Sequence, residues 1–412
     1  MSSASGQQTV FLSKQTPHEK ILRRKLTGHS VLAFAMLFMG LVVIPVMYYT
    51  GLISIETVNM LGRYMTFAIM AIGLDLVWGY TGILSLCQAL FFSLGGYAMG
   101  MYLAHHGGPE GIVDATGWKL PACLYVVYPY QVGEAPTDAL VPWFWKPFYT
   151  LPVTVIGGLF VTGIAAWFIG YFGFKSQVRG VYFAILTQAI TVAAWLVFCM
   201  NNMKLCGTNG LTRFAEIAGY PLSEDNVKMT LYLITLFSLI AAYWFCRHVV
   251  KSRLGRVLIA IRDDENNLRF SGYKPHEYKL FAFVLGALLA GYAGMLYAPQ
   301  MGIFTPASME ADKSILVVIW VAVGGRGTIM GAVIGALGVN LFYNFLTTRA
   351  PEVWPFIQGL LFIAVVLLFP GGLMDLPARI RQLISRKSAS VQRDKPEPSN
   401  DVPSTPDGEA CS

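Results

Sequence analysis

Apolar runs of about twenty residues, unbroken by charge, recur along this chain, and nothing else in the sequence restricts its fold so severely. Residues 31–50, 151–174 and 281–301 contain no Asp, Glu, Lys or Arg. A helix needs about 20 such residues to cross the hydrocarbon core of a bilayer. In lipid each backbone N–H and C=O must be bonded within the segment or to its neighbours, which a helix achieves alone. A β-barrel would instead show short segments alternating in polarity. Composition agrees: 55% of the 412 residues are hydrophobic and 13% charged, against about 25% charged in soluble domains. The expected fold is all-α, a polytopic integral membrane protein.

The net charge of +7 follows from orientation rather than from nucleic-acid binding, because Lys and Arg gather in particular loops between the spans. Residues 1–30 carry Lys14, Lys20, Arg23, Arg24 and Lys25 against the single acid Glu19, which places this segment in the cytoplasm. No short apolar region with a small-residue cleavage site follows, so the first span reads as an uncleaved anchor. Spans are expected at about 31–50, 58–78, 83–104, 151–174, 181–200, 229–246, 281–301, 314–323, from 328 to 345, and 354–370. The turn Gly79-Tyr80-Thr81-Gly82 separates the second from the third, and the eighth is short for a full crossing. Loops at about 105–149 and 201–228 then lie outside. Lys175 and Arg179, residues 248–279, and Arg379, Arg381, Arg386 and Lys387 lie inside. Ten spans with both termini cytoplasmic satisfy every basic loop. The domain division is a basic segment at 1–30, a transmembrane domain at 31–370 and a cytoplasmic tail at 371–412. That tail is rich in Pro, Ser and charge from about 388 and is expected to be disordered.

Trp143, Phe144, Trp145, Phe148 and Tyr149 precede the fourth span, where amphipathic rings favour the headgroup level. The six cysteines show no metal-ligand spacing. Only Cys123 and Cys206 fall in outer segments, where a disulfide between them is open in an oxidising compartment.

Arg247 to Lys279 holds eight Lys or Arg and four acids. Leu254, Leu258, Ile261 and Leu268 follow helical spacing, broken in phase by Glu265. Asp263 or Asp264 suits the cap of a second short helix, and Gly272 with Pro275 beyond it is a stop signal. The segment therefore reads as two short helices at the membrane face. A basic interfacial helix held by anionic headgroups and a docking helix for a cytoplasmic subunit both fit that pattern.

Within the spans Asp75 is the clearest acid, a candidate pathway group by its depth and equally a carboxylate reaching water or a nearby cation at the inner end. Gln88 and Gln188 offer hydrogen bonds to a neutral polar solute or to a neighbouring helix. Thr208 and Asn209 lie in the outer loop, at an entrance or in a plain Asn-Gly turn. Arg326, among glycines, reads as a topology anchor. Gly-rich bends at 79–82 and 324–327 keep a secondary transporter with paired interruptions as an alternative. No phosphate-binding G-x-x-x-x-G-K-[ST] loop occurs.

The string GRVLIAIRDDENNLRFSGYKPHEYKLFAFVLGALLAGYAGMLYA resembles the cytoplasmic loop and following span of permease subunits of ATP-binding-cassette importers of the branched-chain amino acid type. GLDLVWGYTGILSLCQALFFSLGGYAMGMYLA, RGVYFAILTQAIT and GGRGTIMGAVIGA resemble three further blocks, so the likeness covers roughly residues 58–370. Within that family GLDLVWGYTG, SLGGYAMGMYL, PWFWKPFY and CGTNGLTRF resemble the urea branch. Asn266-Asn267 and Cys87-Gln88 depart from the usual pattern. The resemblance implies a bacterial inner-membrane permease that binds no cofactor, with ATP used by partner subunits. Those partners would be a second homologous permease, two cytoplasmic ATPases and a periplasmic substrate-binding protein, with membrane lipid around them. It also implies an ATPase-coupling loop containing Arg253, Gly255, Arg256, Ile261, Arg262, Asp263, Asp264, Glu265 and Gly272. The solute would be urea, with branched-chain amino acids or a short amide as the alternative.

Overall fold

The computed structural model describes residues 34–107, 141–176 and 180–349, with isolated positions at 121, 123, 124 and between 352 and 374. The basic segment 1–30, most of the 105–149 loop, Arg179, nearly all of the tenth expected span and the tail lie outside the described residues. The ten-span count and the placement of both termini go with them.

Among the described residues the chain runs as α1 (Phe34–Tyr49), α2 (Ile55–Thr81), α3 (Gln88–His105), α4 (Leu151–Lys175), α5 (Val181–Cys199) and α6 (Asp225–Lys251). It continues through α7 (Arg253–Asp263), α8 (Glu265–Phe270), α9 (Pro275–Met301), α10 (Ala311–Gly324) and α11 (Ile329–Arg349). Six of these, α2, α4, α5, α6, α9 and α11, are long and apolar enough to cross a membrane. A four-residue hairpin, Glu216–Ile217 paired with Tyr220–Pro221, is the only sheet among the described residues.

Long-range packing centres on α9, which lies against α2, α3 and α4. Its inner face is a stripe of small residues, among them Ala282, Gly286, Ala287, Ala290, Ala293 and Gly294, all buried. Small side chains let backbones approach closely where lipid tails supply no hydrophobic drive between helices. At the α2–α9 crossing Gly73 meets Gly286, and a Cβ on Gly73 would lie 2.6 Å from the Gly286 carbonyl oxygen. By contrast α4 and α5 expose large apolar side chains such as Ile156, Phe160, Trp167, Tyr182 and Ile185. Such faces need lipid or another apolar surface against them. In α1 a π-helical turn spans Met39–Val43, and Ile44 N–H bonds back to Met39 O. Pro45 follows and lacks the N–H that Leu41 O would receive, and the wider turn absorbs that break.

Three expectations need correction. The bend placed at Gly79–Gly82 is helical through Thr81, and only Gly82, at φ +79°, leaves α2. The third span does not begin at Ile83. Residues 82–87 are non-helical and α3 starts at Gln88. Non-helical backbone at this depth is tolerated only where protein groups satisfy it, and here two threonines of α5 do so. Leu86 N–H donates to Thr187 Oγ1 at 3.0 Å and Thr191 Oγ1 donates to Leu86 O at 3.3 Å. Finally, Trp145 does not join an interfacial belt. It is fully buried, its indole N–H donates to Lys204 O at 3.1 Å, and it meets His105 edge-on. Trp143 remains 81% exposed.

Cys123 and Cys206, both in segments expected outside, form a disulfide with Cα atoms 5.4 Å apart. Leu211 and Phe304 exchange backbone hydrogen bonds at 2.8 and 2.9 Å, tying the 201–224 segment to the residues after α9.

Candidate functional site: a loop junction and a helix break

The charged segment after α6 folds as two short helices, as its pattern predicts. Ser252 makes the turn, its hydroxyl donating to Val249 O at 2.7 Å. Gly255 fits there because a Cβ would collide with the Val250 backbone. Leu258 and Ile261 are buried along α7, which packs on α2, α6 and α9. Arg253 and Arg256 stay exposed. Of the two candidate caps Asp264 acts: its Oδ1 accepts from Asn266 N at 3.0 Å and Asn267 N at 3.2 Å, and its Oδ2 accepts from Asn267 Nδ2 at 2.7 Å. Asp263 pairs with Arg262 at 3.2 Å. Gly272, at φ +83°, ends the segment.

Glu265 clamps α8 to the start of α9, accepting from Arg269 at 2.8 Å and from Lys279 at 2.7 Å. Burial works to raise the Glu265 carboxyl. The hydrogen bonds and charges of Lys279 and Arg269 outweigh it, and hold the group below the ordinary carboxylate value. Phe270 closes α8 with 90% of its surface exposed.

From α7 the segment reaches into the spans. Arg262 Nη1 donates to Gly79 O at 3.0 Å, one residue beyond Trp78, whose carbonyl accepts from Arg326 Nε at 3.2 Å and Nη2 at 3.1 Å. Arg326 also lies over the Trp78 ring at 4.9 Å. Asp75, one turn earlier on α2, is fully buried, and its Oδ1 accepts from Gly327 N at 2.7 Å. Its Oδ2 has no hydrogen-bond partner among the described residues. Arg326 and Arg262 lie within Coulombic range. Gly79 lets these groups meet, because a Cβ there would fall on the Asp75 carboxylate and within 2.6 Å of Gly327 N. One helix end thus receives the α7 segment and the turn between α10 and α11.

The second place is the break at 82–87. Gln88 opens α3 and is 1% exposed, yet neither end of its carboxamide has a partner among the described residues. Ser93 Oγ and Tyr97 OH, also on α3, are buried without partners. Two other hydroxyls here have partners: Ser314 Oγ accepts from Ala89 N at 3.2 Å, and Ser85 Oγ lies 3.1 Å from Cys87 Sγ. Gln188 sits half-buried on α5 beside Thr187, with its Oε1 unpartnered. Thr208 and Asn209 are exposed in a single helical turn at Gly207–Asn209 on the outer segment.

The structure therefore gathers Arg262, Asp75 and Arg326 at one junction, puts Gln88 at the other place, and leaves Thr208 and Asn209 apart from both. Sequence reasoning missed Trp78, Gly327, Thr187, Thr191 and Ser314. The four-residue spacing of Thr187 and Thr191, which puts both hydroxyls on one helix face, was the readable signal.

A family model described as the branched-chain amino acid transport system / permease component matches residues 56–366. The chain is 24% identical over 315 residues to the Escherichia coli (strain K12) high-affinity branched-chain amino acid transport system permease protein LivM, covering 71% of this chain and 63% of LivM. It is 24% identical over 331 residues to LivH of the same strain, covering 76% of this chain and 92% of LivH. It is 28% identical over 233 residues to the autoinducer 2 import system permease protein LsrC of Salmonella paratyphi B, covering 55% and 64%. The chain thus spans about 63% of the length of LivM. No solved structure matched.

Proposed function

The chain belongs to the branched-chain amino acid transport system permease family and is a multi-pass inner-membrane protein. From that premise we propose that it forms the translocation path of an ATP-binding-cassette importer and is driven by ATPases on other chains. The observation that carries the proposal is the linkage of α7 to α2: an amphipathic helix outside the spans reaches through Arg262 to the end of α2. Closure of an ATPase around α7 and α8 would be felt directly at that helix end, which also holds the α10–α11 turn through Asp75 and Arg326. Packed interfaces switch between discrete arrangements rather than deforming smoothly, so a small displacement of α7 is passed on as a tilt of the spans. Exposed Phe270 on α8 and exposed Arg253 and Arg256 on α7 supply the docking surface. A second homologous permease and a periplasmic binding protein complete the assembly, and the apolar faces of α4 and α5 suit a partner permease or lipid.

Urea is the proposed solute. Supporting it are the likeness of CGTNGLTRF and GLDLVWGYTG to the urea branch and the neutral hydrogen-bonding groups Gln88 and Gln188 along the helices. Branched-chain amino acids are the second reading, favoured by the names of LivM and LivH. The coupling role is tested by replacing Arg262 and Glu265 together with alanine. Co-purification of the ATPase should fall while membrane insertion persists. Unchanged co-purification would return α7 and α8 to anchoring topology alone.

A further inference from the structure

We propose that Gln88 hydrogen-bonds the transported solute and selects one bearing a neutral carboxamide or urea group. The inference rests on the importer reading and adds to it the residue that reads the cargo.

A carboxamide has two N–H donors and an acceptor oxygen with two lone pairs. Burying all of them unpaired is unfavourable, and a methionine of similar size would fill the same space without that penalty. Buried polar side chains in folded proteins are almost always bonded, so one with both ends free calls for a further partner. Gln88 is such a residue, 1% exposed with Oε1 and Nε2 both unpartnered among the described residues.

Its position supplies a second, independent observation. Gln88 is the first residue of an 18-residue helix that follows a non-helical stretch, and helix Cα–Cβ bonds tilt toward the N-terminus. The Cα–Cβ bond of Gln88 therefore leans back toward the break. Cys87 before it gives no side-chain cap. Hydroxyls around the break hold the backbone: Thr187 and Thr191 bond Leu86, and Ser314 Oγ accepts from Ala89 N. Among the described residues at this break, Gln88 keeps both ends of its carboxamide unbonded. Interrupted helices whose N-termini face a site are the general way membrane proteins offer polar groups to a solute within the bilayer.

The chemistry of a carboxamide fixes the class of solute. One edge presents a donor beside an acceptor, and a urea or primary amide presents the complementary acceptor beside a donor, so two hydrogen bonds form at once. A carboxylate offers acceptors only, and would leave Oε1 facing an anion, a repulsive element against that class.

The test uses the complete transporter in proteoliposomes, with labelled urea and labelled leucine measured on wild type, Gln88→Met and Gln88→Asn. The proposal expects Gln88→Met to lower initial urea uptake about tenfold or more, as loss of one or two hydrogen bonds implies. Gln88→Met should still assemble with the ATPase and unfold no earlier than wild type, and Gln88→Asn, which keeps the carboxamide, should retain more uptake. Wild-type urea uptake by Gln88→Met overturns the proposal. So does a drop in its unfolding temperature together with loss of ATPase, which would make the role structural. ATP-driven uptake of leucine but not urea by the wild-type complex overturns the solute class while leaving the importer reading intact. Uptake of neither solute likewise overturns the proposed solute class, and uptake on an ion gradient without ATP removes the importer reading itself.

Discussion

Replacing Asp75 by alanine removes the acceptor for Gly327 N–H, and the cost can be worked from the geometry. The bond is 2.7 Å long and its acceptor lies on a fully buried side chain. Leaving a buried N–H unsatisfied costs about 1–3 kcal/mol, and a small cavity adds to it, so a loss of about 2–4 kcal/mol is expected for Asp75→Ala. Asp75→Asn keeps an oxygen where Oδ1 stands, and the Gly327 bond survives in neutral form at a cost of about 1 kcal/mol. The prediction is therefore an ordering: wild type, then Asn slightly below it, then Ala well below both. Thermal unfolding of the purified protein in nanodiscs reads it, and ATP-driven uptake should follow the same order because the α10–α11 turn is held through this bond. Equal unfolding temperatures for Asn and Ala would refute the reasoning, since the hydrogen bond would then carry no stability.

Three further predictions concern the disulfide and the Glu265 clamp. Alkylation of denatured but unreduced protein should label four of the six cysteines, the Cys123–Cys206 pair being protected. Cys206→Ser opens a loop closed over 83 residues, and should lower stability by up to about 4–5 kcal/mol in the chain-entropy account. Glu265 is held below its ordinary carboxylate value by Lys279 and Arg269 against the opposing effect of burial. Its contribution is therefore fully present above the unfolded value of about 4.3, and is lost as pH falls through the lowered folded value. Hydrogen exchange of α8 amides should speed up as pH falls below about 4.3, once corrected for the intrinsic rate. Glu265→Gln should abolish that step, and a step that persists in the variant would assign it to another group.

What the sequence made legible is what local chemistry dictates. The apolar runs located the helices, and the two-helix form of 253–270 followed from Glu265 out of phase, a cap at Asp263 or Asp264 and Gly272 as a stop. Missed features depend on partners far along the chain. Nothing near Gly79 announces that α2 continues to Thr81, because the helix end is held by Arg262 and Arg326, 183 and 248 residues away from their acceptors. The late start of α3 was hidden likewise, since its unbonded backbone is satisfied by Thr187, 101 residues on. Trp145 looked like a membrane-interface ring until the Lys204 carbonyl gave its indole N–H a buried partner. Asp75 was noticed for its depth, whereas its partner Gly327 is a backbone N–H in a Gly-rich turn with no side chain to mark it. The same sparse marking hid Gln88's circumstances: its residue type drew attention, but only its burial with both carboxamide ends unbonded singles it out.

The central claim, that this chain is a path opened by an ATPase through α7 and α8, is tested most directly by solute flux. Proteoliposomes holding the chain with the proposed partner permease, ATPases and binding protein should accumulate labelled urea only when ATP is supplied, and vesicles holding the chain alone should accumulate none on a proton or sodium gradient. Accumulation by the chain alone on an ion gradient would contradict the account and make it a secondary transporter.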